Sequence, residues 1–411
     1  MIKIINMILN KMLNICKPQQ KFIVGLFSAL LSARGKMNFR NMSRYSNFTE
    51  KTFARNYEKP FNFAEFNQQA LTLILKPESR LVAAFDPSFI QKSGKQTYGK
   101  DSFWNGAASR AEKGLEIGLL AVIDVNYNTA YSISAQQTPP IAASRTDKDL
   151  PVTEESRVDA YLEHIQEHRK YLPVQVRHLA VDGFFYKKKF VTGIKKIDLD
   201  IVGKLRIDAN LRHLYHGEQS GKGRPKKYSE KVDIDDLSQF EFVSEVQVNE
   251  KQTIKLYTAI VNSVSLKRDI RIVLMRDDSN KDKVFRALLF STDLNLSALD
   301  IYHFYKARFQ IEFVFRDAKQ FAGLTDCQAR SKEKLNFHFN ASVAALNVTK
   351  IIDRISKPNE TKQDAFSMAS WKARCYNENF MEVLFSMLDI DPTSIKLTPQ
   401  FEELRNYGTI S

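Results

Sequence analysis

A chain of 411 residues with 43% hydrophobic residues and 29 phenylalanines can fill two or three folded cores, which excludes a disordered protein. Its net charge of +14 favours a polyanionic partner. Cys16, Cys327 and Cys375 form no CxxC pair, which argues against a disulfide framework or a cysteine zinc site and for a reduced, intracellular protein.

The first residues, MIKIINMILNKMLNICK, are apolar but broken repeatedly by lysine and asparagine, and no small-residue cleavage site follows; no secretory leader is expected. No apolar run reaches 18 residues, so no membrane span is expected either. Residues 20–34 read as a helix stopped near Gly35. NFRNMSRYSNFTEKTFARNYEK then reads as two short helices around a tight turn, with Thr49 capping the second and Phe48 and Phe53 stapling it. Residues 1–79 carry twelve Lys/Arg against four Glu and no Asp, more than half of the excess charge. Arg40, Arg44, Lys51 and Arg55 on this pair suit a helix-turn-helix-like DNA contact over about 39–57.

From residue 80 the period becomes strand-like. RLVAAFD ends at Asp86 before Pro87, and two further strands follow over 114–125 and 129–137. A Pro/Ser-containing loop over 139–153 leads to a helix over 155–169. Then come a strand over 176–182 ending in Asp182, a Lys-rich helix over 186–196, and a strand over 198–206. Three strands, helix, strand, helix, strand is the order of an RNase H-like domain, so the expected fold is an α/β catalytic core over 80–206 and 297–330. A β-rich insertion over 207–296 interrupts it, opening on the basic tract SGKGRPKKY, where Arg224, Lys226 and Lys227 resemble a minor-groove hook. Residues 331–411 read as a helical C-terminal region.

The chemistry concentrates on one helix expected over 297–321. In YKARFQIEFVFRDAK, Tyr305, Arg308, Glu312 and Lys319 fall within a stripe roughly 60° wide at about 100° per residue. The other nearby acid, Asp317, lies about 140° from Glu312. Asp86 and Asp182 each close an apolar strand, where a carboxylate is costly to bury unless paired or metal-bound. Asp86, Asp182 and Glu312 converging in space would repel one another. Two Mg²⁺ or Mn²⁺ ions would relieve that repulsion and serve phosphodiester displacement. Arg308 and Lys319 would hold phosphate, with Tyr305 in support. HIQEH at 164–168 matches an inverted zinc-protease pattern but lacks a third ligand, and His213 and His216 read as local structure.

Tyr305, Arg308, Glu312 and Lys319 match in full the Y-(2)-R-(3)-E-(6)-K spacing of a family of insertion-sequence DDE transposases (the IS-four type). FDPSF at 85–89 and AVDGFF at 180–185 resemble the surroundings of that family's two catalytic aspartates, and the likeness runs from about residue 36 to 380. The resemblance implies metal-dependent nicking at transposon ends and attack by the freed 3′-OH on target DNA. It further implies a homodimer on DNA and a nucleoid-associated location. Some members pass through a DNA hairpin with an insertion-domain tryptophan stacked on a flipped base. Here Trp104 and Trp371 lie outside the insertion, leaving Phe240, Phe242 or Tyr257 for that place. The competing readings are a non-catalytic DNA-binding protein derived from a transposase, and a nuclease of the same fold that cuts without joining.

Overall fold

The computed structural model describes residues 1–140, 156–219, 221, 223–250, 252–279, 284–357 and 366–409. Most of the loop expected over 139–153, and Ser220 and Lys222 of the basic tract, lie outside them. The chain is mixed α/β, built on one large mixed sheet.

Five helices come first: α1 (Ile2–Leu9), α2 (Lys17–Ser32), α3 (Phe39–Met42), α4 (Glu50–Asn56) and α5 (Phe63–Leu71). The expected cap and staple on α4 are present. The Thr49 hydroxyl accepts the Thr52 amide, and the Phe48 and Phe53 rings meet edge-on at 6.0 Å. The strands that follow are β1 (Leu81–Gln91), β2 (Asp101–Asn105), β3 (Arg110–Asp124) and β4 (Thr129–Gln137). Next come α6 (Arg157–His168), β5 (His178–Ala180), α7 (Lys188–Lys195) and β6 (Asp200–Leu205). The strand order β4-β3-β1-β5-β6 has β3 antiparallel to β1 and β4, while β1, β5 and β6 run parallel.

Two local departures from the sequence reading have physical causes. β1 runs through Pro87 to Gln91 instead of stopping at Asp86. β5 meets β1 only at Ala83 and Ala84, so beyond them β1 has no strand on that side among the described residues, and the donor that proline lacks is not needed there. β2 was not legible: five residues, DSFWN, are too few and too polar to show an alternation, and pairing with β3 creates the strand.

The insertion strands are β7 (Leu211–Leu214), β8 (Tyr228–Lys231), β9 (Glu241–Asn249), β10 (Gln252–Ser263), β11 (Arg268–Asp277) and β12 (Phe285–Ser291). They extend the same sheet, because β12 pairs antiparallel with β6. The C-terminal part is helical as expected: α8 (Ala298–Arg308), α9 (Gln310–Phe321), α10 (Lys332–Ser356), α11 (Met368–Met387), α12 (Pro392–Ile395) and α13 (Pro399–Arg405).

The N-terminal helices share this core. Phe22, Tyr57 and Phe63 gather around Phe337 of α10, with ring centroids 6.3, 4.4 and 5.0 Å away. One continuous hydrophobic cluster runs from Ile5 to Cys375. Residues 1–79 are therefore helical as expected, but they have no separate core.

α10 also solves an edge problem. Among the described residues β4 pairs only with β3, so its outer backbone groups need other partners in a buried setting. Asn340 takes the Ala135 amide and donates to the Ala135 carbonyl, and Asn347, one heptad on, does the same at Ser132. Asn67 donates to the Ile133 carbonyl and Lys350 to that of Ala130. Replacing Asn347 by Ala strands two backbone groups and the Asn67 amide oxygen. Urea unfolding is expected to show a loss of about 3 kcal/mol, each unsatisfied group costing about 1–3. A loss below about 0.5 kcal/mol would show that the edge needs no such seal.

Candidate functional site

The helix expected over 297–321 is broken at Phe309. The amides of Phe309 and Glu312 bond three residues back, to the carbonyls of Lys306 and Phe309, in the tighter 3₁₀ pattern. The break lets α8 pack on β5, β6 and the insertion strands while α9 crosses β1, β3 and β4. Tyr305 and Arg308 end α8, and Glu312 and Lys319 lie on α9.

The stripe nevertheless meets the two aspartates. On β1, Asp86 and Ser88 point to the face covered by α9, where the Lys319 ammonium donates to the Ser88 hydroxyl at 2.9 Å and the Phe89 carbonyl at 3.1 Å. Burial lifts the Asp86 carboxyl to about 7. Arg308 opposes the rise, while Asp182, Glu312 and Glu116 add to it. Asp182 sits just past β5, where its Oδ1 accepts the Phe184 amide at 2.9 Å and caps a single 3₁₀ turn. It serves as a local cap and also stands close enough to act on Asp86.

Arg308 is the counter-charge at the centre. Its Nη2 donates to Glu312 Oε1 at 3.1 Å, its guanidinium lies 5.8 Å from the Tyr305 ring centroid, and its buried Nε has no partner. Tyr305 is half-buried, and burial raises its hydroxyl pKa against the pull of Arg308. Lys319 is half-buried as well, and burial lowers its pKa. In this conformation Lys319 ties α9 to β1, and its charge lies behind Asp86 along the strand.

Asp317 is on the other side of α9. It is buried, pairs with Arg316 at 2.9 Å and faces Lys350, whose pKa burial lowers to about 8. The structure thus separates the two acids of this helix as their 140° spacing requires, and Glu312 is the one turned to Asp86.

Glu116 was missed by the sequence reading. It lies on β3 on the face opposite Asp86, buried, accepting the Tyr161 hydroxyl at 2.6 Å. The signal was available: one carboxylate within GLEIGLL, flanked by glycines. A Cβ at Gly118 would stand 2.7 Å from the Phe85 ring, so glycine there is what lets β3 close on β1 beside Asp86. His164 of the HIQEH segment is buried against Phe85 and bonded to the Ser134 hydroxyl at 2.7 Å, and burial holds it well below the usual histidine range, as a structural side chain.

The other predicted DNA contacts lie on separate elements. Arg40, Arg44, Lys51 and Arg55 are all exposed on and between α3 and α4. Arg224, Lys226 and Lys227 are exposed in the β7–β8 loop, which Gln219 clamps through both backbone groups of Lys226. Of the aromatic alternatives in the insertion, Phe240 is buried, while Phe242 and Tyr257 pair across β9 and β10 at 5.5 Å with Phe242 exposed.

Three carboxylates supply the oxygen donors that a hard divalent cation prefers. Burial is the main cause of the raised Asp86 carboxyl and the neighbouring acids add to it, so what supports Mg²⁺ or Mn²⁺ here is the all-oxygen donor set. The arrangement is open. Among the described residues no three His, Cys, Asp or Glu side chains are set as a ready cation site, and Glu312 is held by Arg308.

A profile of the family described as "Archaeal putative transposase ISC1217" matches residues 83–354, about two thirds of the chain. The chain belongs to that family. It is accordingly a transposase of the DNA recombination class, and the matched span runs from the strand carrying Asp86 to the end of α10. No curated protein matches. Among solved structures, a piggyBac transposase synaptic complex with hairpin DNA is similar at 10% identity and a TM-score of 0.41, covering 100% of this chain and 82% of that one. No helix among the described residues is long and apolar enough to cross a membrane.

Proposed function

We propose that this protein is a metal-dependent DDE transposase of the Y-R-E-K type. On this reading it cuts DNA at the ends of its element and joins the freed 3′-OH to target DNA, working as a homodimer on nucleoid DNA. The observation that carries the proposal is that Asp86 in the middle of β1, Asp182 just past β5 and Glu312 on α9, far apart in sequence, act on one another, with Arg308 opposing them as counter-charge. The order β4-β3-β1-β5-β6 supports an RNase H-like core, with Asp86 on its central strand and Asp182 after the neighbouring parallel one.

Each residue then has a part. Asp86, Asp182 and Glu312 would hold two divalent cations, which when bound supply activation of the attacking oxygen and stabilisation of the leaving oxygen. Arg308 is positioned to exchange its Glu312 partner for a DNA phosphate, since an arginine fork binds either bidentately. Tyr305 packs beside Arg308 and limits its swing. Lys319 fixes the distance between α9 and β1, and so the separation of Glu312 and Asp86.

The test is incubation of the purified chain with duplexes carrying the element's terminal sequences and either Mg²⁺, Mn²⁺ or chelator. Nicks that leave a 3′-OH, followed by joined products, are expected with metal alone. Binding without cutting under every metal condition would show a non-catalytic derivative, and cutting without joining a nuclease.

A further inference from the structure

We propose that the β2–β3 hairpin and the loop before it form a platform for unpaired DNA, on which Trp104 stacks a base. The inference rests on the DNA-cleaving reading above and assigns a substrate form to a surface outside the carboxylate cluster. The chain has two tryptophans. Trp371 is buried and donates to Asp353, whereas Trp104 is 59% exposed, so its indole face is open to a base.

Strand register places it. Asp86 pairs with Leu119 and Trp104 with Ala111, on a stretch of β3 without a bulge toward either partner. Leu119 and Ala111 are an even number of residues apart, so Trp104 lies on the same sheet face as Asp86 and Ser88. Eight residues of β3 separate the two positions, about 26 Å, or about eight base pairs of DNA rise.

The surroundings suit a phosphate backbone. Residues 92–113 hold five Lys/Arg against two acids, and Glu112 is already occupied by Arg110 and Asn105. Lys113, exposed, is on the Trp104 face. A second exposed ring, Tyr98, is anchored by its amide to the Arg330 carbonyl and lies 5.7 Å from the Lys332 ammonium. Lys334, on the same first turn of α10, pairs with Glu58 at 2.8 Å, which joins this surface to the basic α3–α4 region. Exposed aromatic faces among cations are the chemistry of single-strand binding. A duplex keeps its base faces stacked on each other, whereas an unpaired base offers its face to the indole.

Because Trp371 is shielded from bound DNA, a change in tryptophan emission on titration reports Trp104. The test titrates the full chain with an 18-nucleotide single strand and with its duplex, reading tryptophan emission and the anisotropy of labelled DNA in parallel. The expected result is quenching by the single strand, absent in Trp104→Phe. Trp104→Ala is expected to bind the single strand about tenfold more weakly with duplex affinity within twofold, and Trp104→Phe to recover most of the loss. DNA bound by anisotropy with Trp104 emission unchanged, or equal losses on both DNA forms, would overturn the platform and leave the catalytic reading standing. Absence of any DNA binding by the unmodified chain would overturn both.

Discussion

Asp86→Asn is expected to abolish metal-dependent cleavage while making the metal-free protein more stable. Asp182→Asn and Glu312→Gln should match it in activity, with rates falling about 10³-fold or more. That corresponds to about 4 kcal/mol of transition-state stabilisation, the several kcal/mol expected when a cation loses its seat. The stability effect belongs to Asp86 because its carboxyl is raised to about 7 in the fold against an ordinary 3.8. A raised acid favours the folded state while it is protonated. That contribution is whole below about pH 4, is lost as pH climbs toward 7, and stays lost above. Its size is on the order of 4 kcal/mol at about 1.36 kcal/mol per unit. Thermal melts in chelator should therefore show Asp86→Asn more stable than the parent at pH 8 and equal to it near pH 4. In the parent, Mg²⁺ should raise the melting temperature more at pH 8 than at pH 6, where protons compete for the same oxygens. Robust cleavage by Glu312→Gln would break the assignment, and an unchanged melting curve at pH 8 would show that Asp86 bears no such strain.

The sites that the sequence exposed are those where local spacing and structure coincide. Helical periodicity placed Tyr305, Arg308, Glu312 and Lys319 together and set Asp317 aside, and the structure keeps that division even though the helix breaks at Phe309. Apolar strands ending in aspartate marked Asp86 and Asp182. What stayed hidden depends on partners remote in sequence. Whether β1 stops at Pro87 is decided by the shortness of β5. β2 exists only as an addition to β3. Asn340 and Asn347 read as indifferent polar residues in a helix until β4 is seen to lack a neighbour on its outer edge. Lys319 has the spacing of a phosphate ligand, and it also donates hydrogen bonds to Ser88 and Phe89, contacts that no spacing encodes. Basic composition pointed to DNA contact by residues 1–79, but composition says nothing about which side chains share a core.

Deleting residues 1–75 is accordingly expected to destroy the fold, where a separable binding domain would leave the catalytic half intact. Ile5, Ile8, Leu9, Phe27, Phe53, Tyr57 and Phe66 are fully buried, and several of them cover α10 and the sheet. Each is worth about 1.5–3 kcal/mol of burial, so even this subset reaches or exceeds the 5–15 kcal/mol by which a domain is stable. The truncated chain should be insoluble, or should bind a hydrophobic dye and melt without cooperativity. DNA recognition by this region is better probed on its surface. Arg40, Arg44, Lys51 and Arg55 are exposed, and changing all four to Ala should move stability by no more than about 0.5 kcal/mol apiece. If all four meet phosphates, the slope of log K against log salt should flatten by about 3.6, at roughly 0.9 per contact. A slope unchanged in the quadruple variant would move recognition away from α3 and α4, to the β7–β8 loop or the β2–β3 hairpin. A soluble, cooperatively melting 76–411 fragment would show that the shared aromatic cluster around Phe337 is dispensable and that residues 1–75 form a separable unit.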